Sequence, residues 1–222
     1  MSRTAYLKQL NTLSDHMVEL GSEVVQSIRD TARAIGDADL TATKDVVDRH
    51  ADDERLRRSI EDSCMNLMLL QQPLASDMRL VTGCFRSIND LSRIDEMAYE
   101  TALLIDEYDI SHSELAPELA QLAEKVARMV EKALDAFNNS DVEKAEEVFP
   151  QDDGADKLFD KIRDDVVELL KKESGATAAA APEVLTIAKY YERMGDHSQS
   201  IADWAIFRAT GSYRGRTMGD KD

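Results

Sequence analysis

The stretch "AKYYERMGDHSQSIADWAIF" carries carboxylates at Glu192, Asp196 and Asp203, with Gly195 in their midst. Read as a helix, Ile187, Tyr191, Met194, Ser198, Ile201 and Ala205 share the face that must be buried. Glu192, Asp196, Gln199 and Asp203 fall within about 60° of one another on the nearly opposite face. The acids therefore line up clear of the apolar seam. Like charges at i and i+4 cost a helix about 0.2–0.5 kcal/mol, and an interior glycine costs about 1 kcal/mol relative to alanine. Two arrangements offset these costs. Lys189 and Arg193 can neutralise a solvated face, or a cation can bind it. Converging carboxylate oxygens suit hard and borderline cations, and a glycine beside them allows close approach of a backbone or ligand.

Glu96, Glu100 and Glu107 repeat the 0, 4, 11 spacing of Glu192, Asp196 and Asp203, displaced by about one turn relative to the match of Arg93 with Arg193. Each set has acids on the preceding antiparallel helix. Counting back from the Gln71–Gln72 turn brings Asp48 and Asp52 level with Glu96. Counting back from Gly175 brings Asp152, Asp153 and Asp156 level with Asp196. The candidate metal ligands are thus Glu192, Asp196, Asp152, Asp153, Asp156 and Asp203 in the second half, and Glu96, Glu100, Asp48 and Asp52 in the first. His50, level with the first group, is a weaker candidate. His197 follows Asp196 directly and points about 100° away from it. It reads as a packing or surface histidine. Trp204 and Phe207 flank the stripe and are expected to contact the other half of the molecule or to form a docking patch.

The elements that must position these residues are long helices. Ala, Leu, Glu, Asp and Lys dominate a chain of 222 residues with 9 Gly and 4 Pro, a helical composition. Tyr6, Leu10, Leu13, Met17, Leu20, Val24 and Ile28 mark the seam of the first helix, which Gly36 ends. Asp39 caps a second helix from about Leu40 to Gln71. A third runs from the Pro73 turn to Tyr108. Leu115, Leu119, Leu122, Val126, Met129 and Ala133 mark a fourth, ended by "FNNSD". Ser140 or Asp141 caps the fifth, which reaches Lys172 and which Pro150 must kink or split. A turn near Glu173–Thr177 is followed by irregular chain to Pro182. The sixth helix ends at Thr210, and residues 211–222 are expected to be a mobile tail.

The two halves match in order: "ERLRRSIEDS" with "DKLFDKIRDD", and "INDLSRIDEMA" with "KYYERMGDHSQ". The expected fold is all-α, with two tandem three-helix bundles related by an internal repeat over residues 1–110 and 111–210. Leu91 and Tyr191 fall at equivalent core positions.

Composition excludes several functions. With 44 acids against 27 bases, a net charge of −17 repels a phosphate polymer, so nucleic acid is not an expected partner. No stretch approaches the ~18 apolar residues of a membrane span, and the N-terminus lacks the apolar run of a secretory signal. Cys64 and Cys84 sit in apolar helical patterns and read as reduced core residues of a cytoplasmic protein. No Glu-x-x-His pair occurs, which argues against a ferritin-like di-metal enzyme. No nucleophile–base pair, phosphate loop or cofactor fingerprint is present, so no enzyme is expected.

"ERMGDHSQSIADW" closely resembles the "ERIGDHA-NIAE" signature of PhoU proteins. "DLSRIDEMA" resembles the equivalent signature of the first repeat, and "PLASDMR" the segment before it. With the duplicated layout, the resemblance covers nearly the whole chain. It implies a cytoplasmic regulator that acts with a phosphate-specific ABC transporter, through its ATPase subunit, and with a sensor histidine kinase. Such regulators dampen phosphate-starvation genes when phosphate is plentiful. The resemblance also implies bound metal ions, iron or zinc included, at paired acidic motifs; manganese and magnesium suit the same oxygen donors. A homodimer is left open. The alternative is a metal-binding bundle without a phosphate-signalling role. Ser92 stands where the family usually has Glu and Asp95 where it has Gly, which weakens the first-half site. In the second half Glu192, Gly195 and Asp196 match, and Ser200 replaces the usual Asn.

Overall fold

A computed structural model describes residues 3–70, 74–172 and 176–217. Helices α1 (Arg3–Gly36), α2 (Thr41–Leu70) and α3 (Ala75–Tyr108) form the first half. A 3₁₀ turn, Ile110–His112, leads to α4 (Ala116–Asn139), α5 (Val142–Glu146), α6 (Phe149–Lys172) and α7 (Ala176–Thr210). Two short strands, β1 (Ser212–Tyr213) and β2 (Arg216–Thr217), close the described chain.

The helix ends follow from local chemistry. Asp39 Oδ1 accepts the Thr41 amide at 3.2 Å at the start of α2. Ser140 takes the left-handed conformation at φ 53° to close α4, and Asp141 Oδ1 then accepts the Lys144 amide at 3.0 Å. Pro150 lies in the first turn of α6, where its missing N–H costs nothing. The expected fifth helix is therefore split into α5 and α6.

Two expectations are corrected. The chain before Pro182 is not irregular: α7 begins at Ala176 and runs through the proline. The alanines ahead of it favour helix strongly, and an exposed proline near the helix start removes only one early hydrogen bond. Residues 212–217 are not an unstructured tail. They form a hairpin in which Ser212 pairs with Thr217 and Tyr213 with Arg216. Arg214 and Gly215 have φ 49° and 76°, the two positive values that a two-residue type I′ turn requires. Tyr213 stacks on Trp204 at 4.2 Å between ring centroids. Residues 218–222 of the expected tail, and the Gln71–Gln72 and Gly175 turns, lie outside the described residues.

The predicted seam of α1 is buried throughout, from Tyr6 to Ile28. Helices α1, α2 and α3 pack on one another, as do α4, α6 and α7. The halves meet where α1 lies on α4 and α3 on α7, with α2 and α6 on the flanks. Buried side chains from both halves join in one cluster. Leu91 and Tyr191 are both fully buried. Close approach of the halves shows at Gly83, where an added Cβ would lie 2.8 Å from the Phe137 ring.

The Tyr191 hydroxyl spans the two halves, donating to Thr31 Oγ1 at 2.9 Å, while Thr31 donates to the Ile28 carbonyl at 2.7 Å. Tyr191→Phe removes one buried hydrogen bond and leaves Thr31 satisfied. It should cost about 1 kcal/mol, or about 2–4 °C of melting temperature for a chain of this size. Tyr191→Ala should cost about 3–5 kcal/mol. Thermal and urea unfolding of both variants measure the two losses, and a Tyr191→Phe variant as stable as the wild type would remove the hydroxyl from the account.

Candidate functional site

The second-half acids gather between the first turns of α6 and the middle of α7. Asp152 faces Gly195, where an added Cβ would lie 3.0 Å from Asp152 Oδ1. The glycine thus makes room for a carboxylate of the neighbouring helix. Burial, then Asp156, Asp196, Glu192 and Asp153, push the Asp152 carboxyl up to about 6. Burial, then Glu192 and Asp196, raise Asp156, and burial and Glu192 raise Asp196. Asp152, Asp156, Glu192 and Asp196 therefore sense one another as a group. Asp153 is exposed and stands beside them.

Local partners occupy part of this group. Lys189 Nζ lies 2.6 Å from Glu192 Oε2, an ion pair whose angle is poor for a hydrogen bond. Gln199 Nε2 donates to Asp152 Oδ2. Among the described residues, no three His, Cys, Asp or Glu side chains are placed to hold a metal ion together. Asp203 stands apart from the group: Arg214 of the hairpin reaches its Oδ2 at 2.7 Å.

In the first half the predicted acids are not brought together. Asp48 pairs with Lys44 and Asp52 with Arg55, both on the exposed side of α2. Glu96 pairs with Arg93 at 2.7 Å. Glu100 accepts from Tyr190, whose hydroxyl is pushed up to about 12 by that bond first and by burial second. The reason is rotation. The buried row of α2 runs through Val46, Asp53, Ile60 and Leu67, so Asp48 and Asp52 share a height with Glu96 but not a face.

The residues that do face α3 are His50, Asp53, Glu54 and Arg57. His50 Nδ1 lies 2.6 Å from Asp95 Oδ2, and its ring stacks on Tyr99 at 4.4 Å. Asp53 is 3 % exposed; its Oδ2 has no hydrogen-bond partner among the described residues. Burial, then Asp95 and Glu23, push the Asp53 carboxyl up to about 7, with Arg49 opposing. Ser92 Oγ donates to Glu54 at 3.5 Å. The repeat itself carried this signal: matching "ERLRRSIEDS" to "DKLFDKIRDD" sets His50 against Asp152 and Glu54 against Asp156. Where Asp152 faces Gly195, His50 faces Asp95. The His50–Asp95 contact fills the first-half space that the second half leaves open.

A cleft of ≈ 620 Å³ runs past His50, Glu54, Arg57, Ser92, Glu96 and His197 to the seam between α3 and α7. His197 Nδ1 lies 2.9 Å from Asp90 Oδ1, and Ser200 Oγ donates to Asp90 Oδ2 at 2.8 Å. His197 is thus a packing histidine that ties α7 to α3. Trp204 is buried, with Arg86 of α3 5.2 Å from its ring centroid. It contacts the other half of the molecule, one of the two roles expected for it.

The PhoU domain model matches residues 17–105 and again residues 119–205. The chain is 28% identical over 214 residues to the phosphate-specific transport system accessory protein PhoU homolog 2 of Mycobacterium tuberculosis, covering 95% of this chain and 99% of that one. It is 24% identical to the accessory protein PhoU of Escherichia coli K12, covering 96% and 88%. The crystal structure of PhoU from Pseudomonas aeruginosa superposes with a TM-score of 0.87 over 93% of this chain and 100% of that chain at 24% identity. The Streptococcus pneumoniae regulatory protein PhoU gives 0.83 over 94% and 98% at 21% identity. These likenesses fix the fold.

Asp53 gives a pH prediction. Its folded pKa of about 7 lies above its ordinary value of 3.8, so the native state holds a proton that the unfolded chain has lost. The stability this confers is complete below the ordinary value and is lost as pH rises through about 7. Asp53→Asn abolishes that titration. Between pH 5 and pH 8 the wild type should lose stability relative to the variant, by at most about 1.4 kcal/mol per pH unit. Parallel urea titrations across that range measure the difference; a pH-independent gap between the two proteins contradicts the assignment.

Proposed function

The chain belongs to the PhoU family, and we propose on that premise that it is an accessory and regulatory protein of a phosphate-specific transport system. The observation that carries this reading is the repeated family match, which spans both halves, together with relatives of that name aligned over nearly their full length. It acts without catalysis, in the cytoplasm, through contacts with the ATPase subunit of the transporter and with a sensor histidine kinase. Its effect is to hold phosphate-starvation genes down when phosphate is plentiful. The halves share one buried core, and no described helix is long and apolar enough to cross a membrane.

A cation at Asp152, Asp156, Glu192 and Asp196, with Asp153 beside them, is the accompanying proposal. Two observations favour it. The carboxyls of Asp152, Asp156 and Asp196 are raised by neighbouring acids as well as by burial, and Gly195 keeps the space beside Asp152 clear. All four are oxygen donors, suited to magnesium, manganese, iron or zinc. Lys189 would have to release Glu192 for such an ion to bind.

Deleting the gene should leave phosphate-starvation genes expressed in high phosphate. Capture of the tagged protein from phosphate-replete cells should bring down the transporter ATPase, and capture after starvation should bring down less. Normal repression in the deletion strain would leave a bundle without a phosphate-signalling role.

For the cation, the wild type should melt at higher temperature with at least one of zinc, iron, manganese or magnesium. Glu192→Ala with Asp196→Ala should erase that shift and keep the helical circular dichroism. If no metal shifts the wild type, the acids form a solvated face in which ion pairs such as that of Lys189 are worth only about 0–1 kcal/mol.

A further inference from the structure

The edge of α6 that turns away from the acids is basic. Gly154, Lys157 and Lys161 recur at i, i+3 and i+7 along it, and they face Lys125 and Arg128 of α4. Together they line a groove of ≈ 390 Å³ in which none of the lining residues is acidic. The two helices are held in register by Lys161 Nζ, 3.1 Å from Glu118 Oε1 of α4. Four cations thus converge in one groove of a chain whose net charge is −17.

Two of the four are already engaged at the rim. Lys161 also meets Asp165 at 3.1 Å, and Arg128 donates to Glu124 at 3.1 Å. Lys125 and Lys157 have no ion-pair partner among the described residues. Lys125 is half-buried and lies against the backbone of α6: a Cβ added at Gly154 would fall 2.7 Å from its Nζ and 3.0 Å from its Cε. A glycine weakens a helix interior, and here its missing side chain is what admits the ammonium. Like charges held side by side without a counter-ion repel, and a bound anion removes that repulsion.

We propose that the groove between α4 and α6 binds a multiply charged oxyanion of the phosphoryl type. The three ammonium groups can hold phosphoryl oxygens as point charges, and the Arg128 guanidinium adds a planar fork that fits the same oxygens. The groove lies within the ~300–1,000 Å³ range of small-ligand sites, large enough for a diphosphate group. The site is separate from the acidic group on the other edge of α6 and needs no metal.

Calorimetric titration of the full-length, chelator-treated protein with sodium pyrophosphate at constant ionic strength tests the proposal. Chelation removes any metal bridge to the acidic edge. The expected result is saturable one-site binding, at least tenfold weaker in Lys125→Gln/Lys157→Gln. Gly154→Ala, which need displace only the flexible end of Lys125, should weaken binding severalfold and keep the fold. Lys171→Gln, whose ammonium pairs with Glu168 at 2.7 Å, should bind like the wild type. The proposal fails if the metal-free wild type shows no saturable binding, if the double variant binds equally well, or if Lys171→Gln loses as much. Sedimentation with phosphatidate vesicles in the absence of pyrophosphate binding would also overturn it, in favour of a membrane surface.

Discussion

Helix α7 packs against α3, α4 and α6 at once, and the geometry of the molecule is organised around satisfying those three neighbours. Its buried row of Ile187, Tyr191, Met194 and Ile201 leaves one narrow strip for polar groups. A carboxylate on the buried row would require an internal partner, because an unpaired charge out of water is far more costly than a lost surface contact. The acids of α7 are therefore kept off that row, and α6 lies close enough to add Asp152 and Asp156 to Glu192 and Asp196. The same constraint pairs the polar tips on the row, Tyr191 with Thr31 across the seam between the halves and Ser198 with the Gly195 carbonyl.

The two halves meet the problem of facing acids in different ways. In the first, His50 and Asp95 hydrogen-bond to each other and the buried Asp53 carboxyl is pushed up to about 7. In the second, the glycine at the place of Asp95 and the aspartate at the place of His50 leave a carboxyl-rich opening. Lys189 and Gln199 only partly satisfy it. The repeat places similar helices in both halves, and the His50–Asp95 contact occupies in one the space that stays open beside Gly195 in the other.

Helix α6 shows how a single surface helix can carry opposite chemistry on its two edges. Asp152 and Asp156 lie toward α7, and Lys157 and Lys161 toward α4. With 3.6 residues per turn, neighbours in sequence reach different partners, so a net charge of −17 does not make the surface uniformly acidic. The C-terminal hairpin adds a further local exception. It brings Arg214 back to Asp203 and lays Tyr213 over Trp204, taking one acid out of the stripe.

The amino-acid sequence by itself determined the helices, the duplication and the core. Apolar periodicity measures rotation within one helix, and the seams of α1, α4 and α7 are buried as their spacing required. It determined the second-half acids for the same reason, since Glu192 and Asp196 lie on one helix face, and the motif around Gly195 pointed to the family. Which residues of a neighbouring helix meet them depends on the rotation of that helix about its own axis, and height along it carries no such information. That is why counting along the helices brings Asp152 and Asp156 to Asp196 but does not bring Asp48 and Asp52 to Glu96, and why it misses Asp53 on the buried row of α2. The hairpin at 212–217 and the helical course through Pro182 depend on tertiary structure as well as on local preference. In the first case the stack on Trp204 and the Arg214–Asp203 ion pair hold a polar, glycine-rich segment in place. In the second, packing of Val184 and Ile187 in the core outweighs one missing hydrogen bond.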